Sequence, residues 1–129
     1  MYEEGALRIE VRDEGKYTRV TLSGRFPESL PEYIEVFARV TVTARVGGHK
    51  RILADARAVP NRSSLSSTFE LVSVVVPDTP DDTRTAAIEA LEFEGLGRFY
   101  ENLMRNRGRD YRMFLDEDQA LAWLLSDKD

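Results

Sequence analysis

The sequence predicts an α/β fold, a mixed and mostly parallel sheet flanked by helices, in a single domain over residues 1–129. Three observations predict it. Near the start, two runs of alternating apolar and polar residues flank a glycine turn, as the arms of a β-hairpin do. Strand-like and helical patterns then alternate along the chain. Last, the apolar run Tyr111-Arg112-Met113-Phe114-Leu115 leads directly into an amphipathic segment from Asp116 to Leu125, which makes a closing βα unit.

In the first hairpin arm Leu7, Ile9 and Val11 alternate with Arg8, Glu10 and Arg12, and in the second Tyr17 to Leu22 alternates again. Glu14-Gly15-Lys16 supplies the turn, and Ser23-Gly24-Arg25-Phe26-Pro27 ends the pattern. From Ile34 to Val46 two periods compete. Every even position is apolar, which favours strand, yet Leu30, Tyr33, Ile34, Phe37, Val40, Thr41 and Ala44 form one helical stripe. Ser29-Leu30-Pro31-Glu32 is a good helix start, with a serine cap, an early proline and a glutamate three residues on. Gly47-Gly48 is a natural stop. A strand of that length would span over about 40 Å, too much for a small domain, so the segment reads as helix.

Arg51-Ile52-Leu53-Ala54-Asp55 is a short apolar strand ending in an acid, followed by a polar loop from Arg57 to Ser67. Phe69 to Val76 reads either way: its valines favour strand, while Ser67-x-x-Glu70 and the alternation of units favour helix. Pro77 to Asp82 is a loop, and Thr85-Ala86-Ala87-Ile88 a short strand. Leu96, Phe99, Tyr100, Leu103 and Met104 recur at helical spacing up to the stop Asn106-Arg107-Gly108. In the closing unit Asp116 caps the last helix, with Gln119 three residues on, and Ala120, Leu121 and Leu124 share its apolar face beside Trp123. We expect Trp123 to be largely buried against the sheet. The order is β-β-α-β-α-β-α-β-α, with the strands after the hairpin parallel and joined by right-handed crossovers.

Composition narrows the function classes. The chain is 42% apolar and 32% charged, as an ordinary globule is. It has no apolar run of about 18 residues and no leader pattern, so neither a membrane span nor a signal peptide is expected. The absence of cysteine removes thiolate catalysis and cysteine-based zinc sites and fits a reducing cytoplasm. A net charge of −5 argues against nucleic acid as the main partner. The local exception is Arg98, Arg105, Arg107, Arg109 and Arg112, either an anion contact or a solvated helix end whose arginines complement the helix dipole. His49 is the only histidine, so a multi-histidine metal site is impossible. Asp78 to Asp82 lacks the glycine-punctuated spacing of a calcium loop. No phosphate-cradling glycine motif is present, and no cofactor is expected.

The element order, the acid ending the third strand, the Asn106-Arg107-Gly108 stop and the closing Phe114-x-Asp116 to Ala120-x-x-Trp123-Leu124 together resemble the SpoIIAA-like proteins of the STAS group (sulfate transporter and anti-sigma-factor antagonist). The resemblance implies a SpoIIAA-like sheet flanked by helices, no cofactor, and a role as a protein-binding switch or accessory domain. In phosphorylatable members the loop after the third strand carries Asp-Ser-Ser/Thr-Gly, and a partner kinase phosphorylates the first serine. Counting from Ile52-Leu53 without gaps sets Arg62-Ser63-Ser64-Leu65 at that motif, with Ser63 as the matching serine, Arg62 in place of the aspartate and Leu65 in place of the glycine. Phosphate at a helix N-terminus beside Arg62 is favourable on charge. Alternatively Ser63 and Ser64 simply cap a helix.

Asp55 lies where parallel sheets present ligand-binding groups. It also suits a partner for Arg57, or a cap for the loop that follows. The function expected is therefore a non-enzymatic protein-interaction or regulatory module in the cytoplasm, its surface formed by Asp55, Arg57, Arg62, Ser63 and Ser64. The alternative is a carrier of a small apolar ligand or lipid in a pocket between sheet and helices, lined by Phe69, Phe93, Phe99, Tyr100 and Trp123. A hydrolase around Ser63, His49 and Asp55 is a third, weaker reading.

Overall fold

A computed structural model describes residues 7–45, 47–76 and 82–126 of the chain. The hairpin forms as its alternation dictates: β1 (Arg8–Asp13) and β2 (Thr18–Ser23) run antiparallel, with Ile9 opposite Leu22 and Val11 opposite Val20. Gly15 takes φ +94°, which side chains disfavour, and so closes the turn. The contested segment is a helix, α1 (Leu30–Ala44). The Ser29 hydroxyl accepts from the Glu32 backbone N–H and donates to the Glu32 carboxylate at 2.8 Å. That local start outweighs the period-two pattern, whose member Val42 is left exposed. Val46 and all but Asp82 of the predicted loop from Pro77 to Asp82 lie outside the described residues.

β3 (Arg51–Ala58) is longer than the sequence pattern predicts. Asp55 is therefore not its end, although it makes the last pair with the neighbouring strand β4 (Arg84–Ile88). Beyond it β3 continues against β2 alone, where Ser23 pairs with Ala58. The next helix, α2 (Leu65–Glu70), starts inside the segment predicted as loop and runs on as a π-helical stretch, Leu71–Val75. The valines favour strand locally, but Val72 and Val76 are fully buried and pack beside Leu103 and Phe37, so tertiary contact holds the helix. A single 3₁₀ turn, Leu91–Phe93, precedes α3 (Glu94–Asn106). β5 (Asp110–Phe114) and α4 (Glu117–Leu124) close the order, and the Asp116 carboxylate accepts from the Gln119 backbone N–H at 3.1 Å.

The five strands lie side by side in chain order, β1-β2-β3-β4-β5, and only the hairpin pair is antiparallel. Alternation along each strand divides the core. On one side Val20, Leu22, Ile52 and Ala56 pack with Ala44 and Val40 of α1, while α3, α1 and the π-helical stretch pack on one another through Leu103, Phe37 and Val72. On the other side a single helix, α4, covers Leu53, Ala86 and Ile88 with Ala120 and Leu124. Trp123 packs at the rim of that cluster, partly buried, with Phe114 tilted against its ring and the Arg84 guanidinium over it, 3.9 Å from the ring centroid. Leu124 takes the fully buried position instead.

Candidate functional site

The residues singled out in the sequence lie at or just beyond the C-terminal end of β3, on two sides of the sheet. Asp55 and Arg57, two apart in a strand, share the face that α4 covers. The Asp55 carboxylate accepts from the Arg57 backbone N–H at 3.1 Å, from its guanidinium at 2.9 and 2.7 Å, and from Arg19 at 3.3 Å. Arg19 and Arg57 each also donate to Glu117, in the first turn of α4, at 2.9 and 3.1 Å. Burial would raise the Asp55 pKa, but the Arg57 hydrogen bonds outweigh it and hold the carboxyl below the usual range. Glu117 is held low chiefly by its hydrogen bond to Arg19, and the Asp55 hydrogen bond pushes Arg57 up. Asp55 is thus the partner of Arg57, its carboxylate committed to two arginines. The ring of four charges pins the start of α4 to β2 and β3.

On the other side the loop over 59–64 is organised by Arg62. Its guanidinium donates to the carbonyls of Val59 (2.7 Å), Asn61 (2.6 Å) and Ala56 (3.0 Å) and to the Glu89 carboxylate at 3.1 Å. It also stacks on Phe93, 4.0 Å from the ring centroid. The side chain is buried, so Arg62 belongs to the loop's interior and not to its surface, contrary to expectation. Burial raises the Glu89 pKa above the usual carboxylate range against the opposing pull of Arg62. Ser63 is also buried, at 8% exposure, with its hydroxyl donating to the Pro27 carbonyl at 3.3 Å. It precedes the helix and does not lie in its first turn. Ser64 is the exposed N-cap, its hydroxyl accepting from the Ser67 backbone N–H at 3.1 Å.

Between the sheet and α1, α2 and α3 lies a cavity of about 240 Å³. The strands face it with small side chains, Ala54 and Ala56 of β3 and Thr85 and Ala87 of β4, and the helices leave that space unfilled. Tyr33, Glu89, Tyr100 and Tyr111 bring polar atoms to its wall. Of the five aromatics expected to line a pocket, Tyr100 alone does so. Phe69 is exposed, Phe93 lies under Arg62, Phe99 packs beside Val72 and Val76, and Trp123 is on the opposite side of the sheet. Sequence reasoning missed Glu89, Tyr33 and Tyr111. The available signal was the run of alanines in two central strands, where larger β-branched residues are the rule.

His49 hydrogen-bonds Asp13 at 2.8 Å and precedes β3, whereas Ser63 follows it. A strand of that length spans roughly 25 Å, so no Ser63–His49–Asp55 relay is assembled. The arginines around α3 are also engaged. Arg98 lies 3.5 Å from Glu101, Arg107 donates to Ser73 at 2.9 Å, Arg105 to the Tyr111 carbonyl at 3.3 Å and Arg109 to the Val76 carbonyl. Among the described residues no group of three metal-capable side chains occurs, and no helix is long and apolar enough to cross a membrane.

Neither the models of known protein families nor the curated protein sequences match this chain. Solved structures do. The crystal structure of an anti-sigma factor antagonist from Mycobacterium paratuberculosis superposes at a TM-score of 0.62, covering 98% of this chain and 100% of that one, with 12% identity. An uncharacterized protein of the DUF3478 family from Shewanella loihica, described as having a SpoIIAA-like fold, gives a TM-score of 0.53 over 96% and 97% of the two chains, with 18% identity.

The chain has a SpoIIAA-like fold. In that fold the loop after the third strand is the segment built around Arg62. The element order legible in the sequence and the likeness in three dimensions therefore agree, although so few residues are shared.

Proposed function

We propose that this SpoIIAA-like protein is a non-enzymatic regulatory module of the cytoplasm that acts by presenting a surface to a protein partner. One observation carries the reading. Leu65 and Phe69, one helical turn apart on α2, are 57% and 51% exposed, and they adjoin the exposed cap Ser64. Apolar side chains grouped this way beside polar ones fit a protein contact better than a solvated helix. The likeness to an anti-sigma factor antagonist supports a regulatory partner.

A phosphoswitch remains part of the proposal, at Ser64 in place of the buried Ser63. A phosphate there adds charge beside Leu65 and the cap it already forms. A photo-crosslinking side chain introduced at Phe69 should give one discrete adduct in cells. Ser64→Asp should abolish that adduct, and the same probe at Val42, 68% exposed on α1, should give none. No adduct at 69, or equal adducts at both positions, would overturn the reading.

A second reading, a carrier or sensor of a small molecule, rests on the cavity. Protein interiors are packed like organic crystals, with few voids larger than a water, and a 240 Å³ space walled by alanines is out of keeping with that.

A further inference from the structure

We propose that the cavity between the sheet and α1–α3 binds an uncharged organic molecule of single-ring size whose oxygen accepts a hydrogen bond from Tyr100 or Tyr111. This rests on the second reading above and adds the chemistry of the ligand.

Size comes first. A cavity near 150 Å³ holds a benzene ring, so the 240 Å³ here takes on the order of ten non-hydrogen atoms.

Charge comes next. The charged side chains lining the cavity are Arg45, Arg62, Glu89, Arg109 and Asp110. Arg45 pairs with Asp82, Arg62 with Glu89 and Asp110 with Arg84, and Arg109 donates to the Val76 carbonyl. An anionic ligand would lose its water and find its cations already engaged. A cationic one would compete with Arg62 for Glu89. Either costs more than it gains, which leaves a neutral ligand.

The polar atoms supply the last constraint. The Tyr33 hydroxyl has Thr68 as its hydrogen-bond partner. Tyr111 is only 9% exposed, its ring packed edge-on against Tyr100 with centroids 5.1 Å apart. Among the described residues neither the Tyr100 nor the Tyr111 hydroxyl has a hydrogen-bond partner within the protein. Neither hydroxyl is among the closed-off polar atoms of the interior, so each has open surface at the cavity where a ligand oxygen can replace water. Burial raises the pKa of both phenols, so they remain protonated and present donors to the cavity. A carbonyl, ether or hydroxyl oxygen on the ligand is the acceptor they lack.

Three probes of nearly equal size and shape test this: acetophenone, cumene and benzoate. Each is titrated into the whole chain labelled with ¹³C at the methionine methyls, because Met104 lines the cavity. Acetophenone should shift the Met104 resonance and saturate. Cumene, without an acceptor, should bind about fivefold more weakly, as one lost hydrogen bond implies, and benzoate more weakly still. Tyr100→Phe and Tyr111→Phe keep both rings, and at least one should erase the preference for acetophenone over cumene while the melting transition stays cooperative. If cumene binds as well as acetophenone, the pocket reading stands and the acceptor inference falls. Tightest binding by benzoate overturns the neutral class. No shift at Met104 with any probe overturns both the inference and the pocket reading beneath it.

Discussion

A guanidinium is planar and always charged, and it satisfies several acceptors at once only when they lie around its rim. Arg62 meets that condition with three carbonyls, one carboxylate and an aromatic face. Removing it leaves Glu89 buried without its cation, so Arg62→Ala should cost about 3–5 kcal/mol in urea denaturation. Ser64→Ala, which removes only a cap, should cost about 1 kcal/mol. A loss for Arg62→Ala no larger than that for Ser64→Ala would return Arg62 to the surface. At this scale the sequence was half legible. The pairing of Asp55 with Arg57 follows from their two-residue spacing on one face of a strand. The inward turn of Arg62 does not, because its acceptors are backbone carbonyls and a glutamate from another strand's end, and nothing in local spacing brings Glu89 near. Ser63 is buried for the same reason: it follows Arg62 into the loop's interior.

Among the elements, α4 is held at both ends. Glu117 ties its first turn to Arg19 and Arg57, and Arg84 donates to the Trp123 carbonyl at 2.7 Å at its last. An acid at the start and an arginine at the end each complement the helix dipole. With the ends fixed, the energy lies in the buried middle. Leu124→Ala should cost about 2–5 kcal/mol and Trp123→Ala less, since that ring packs at the rim of the cluster and not inside it. Equal losses would mean that the ring is buried after all. On the opposite side α3 lies close on β5: a Cβ at Gly97 would come within 2.8 Å of the Met113 Cε and 3.2 Å of the Glu89 Cγ. Gly97→Ala should cost about 1–3 kcal/mol by overpacking, read from the shift in urea midpoint. A neutral result would show the thioether swinging clear. The hairpin, the cap of α1 and the closing βα unit were legible because each is a local signal. The last residues of β3 were not, since Ala56, Arg57 and Ala58 have no strand preference and extend only because β2 lies beside them. The π-helical stretch was equally hidden, as was the cavity, a volume left over by side chains from several elements.

For the molecule as a whole, the carboxylates set opposing slopes with pH. Asp55 and Glu117 are depressed in the folded state. Their contribution is complete above the ordinary carboxylate pKa and is lost as pH falls through the lower folded values. Glu89 is raised, so the folded state holds that proton more tightly than the unfolded chain does. Its effect runs the other way: stability falls as pH rises from the ordinary value through the raised one. Wild-type stability should therefore peak in mildly acid solution and drop below about pH 4. Asp55→Asn should flatten the acid limb and Glu89→Gln the limb above it, measured as urea midpoints from pH 3 to 7. An acid limb unchanged in Asp55→Asn would place its origin elsewhere. The division of the faces has a further consequence, for synthesis. The helices on one side alternate with the strands along the chain, so that side gains cover as it is made. The other side waits for α4, which follows every strand it shields. Until Glu117 to Leu124 leave the ribosome, Leu53, Ala86 and Ile88 have, among the described residues, the partly buried Tyr17 and Phe114 beside them but no helix. A chain ended before Glu117 should therefore expose that face, read as binding of an apolar dye that the full chain does not take up.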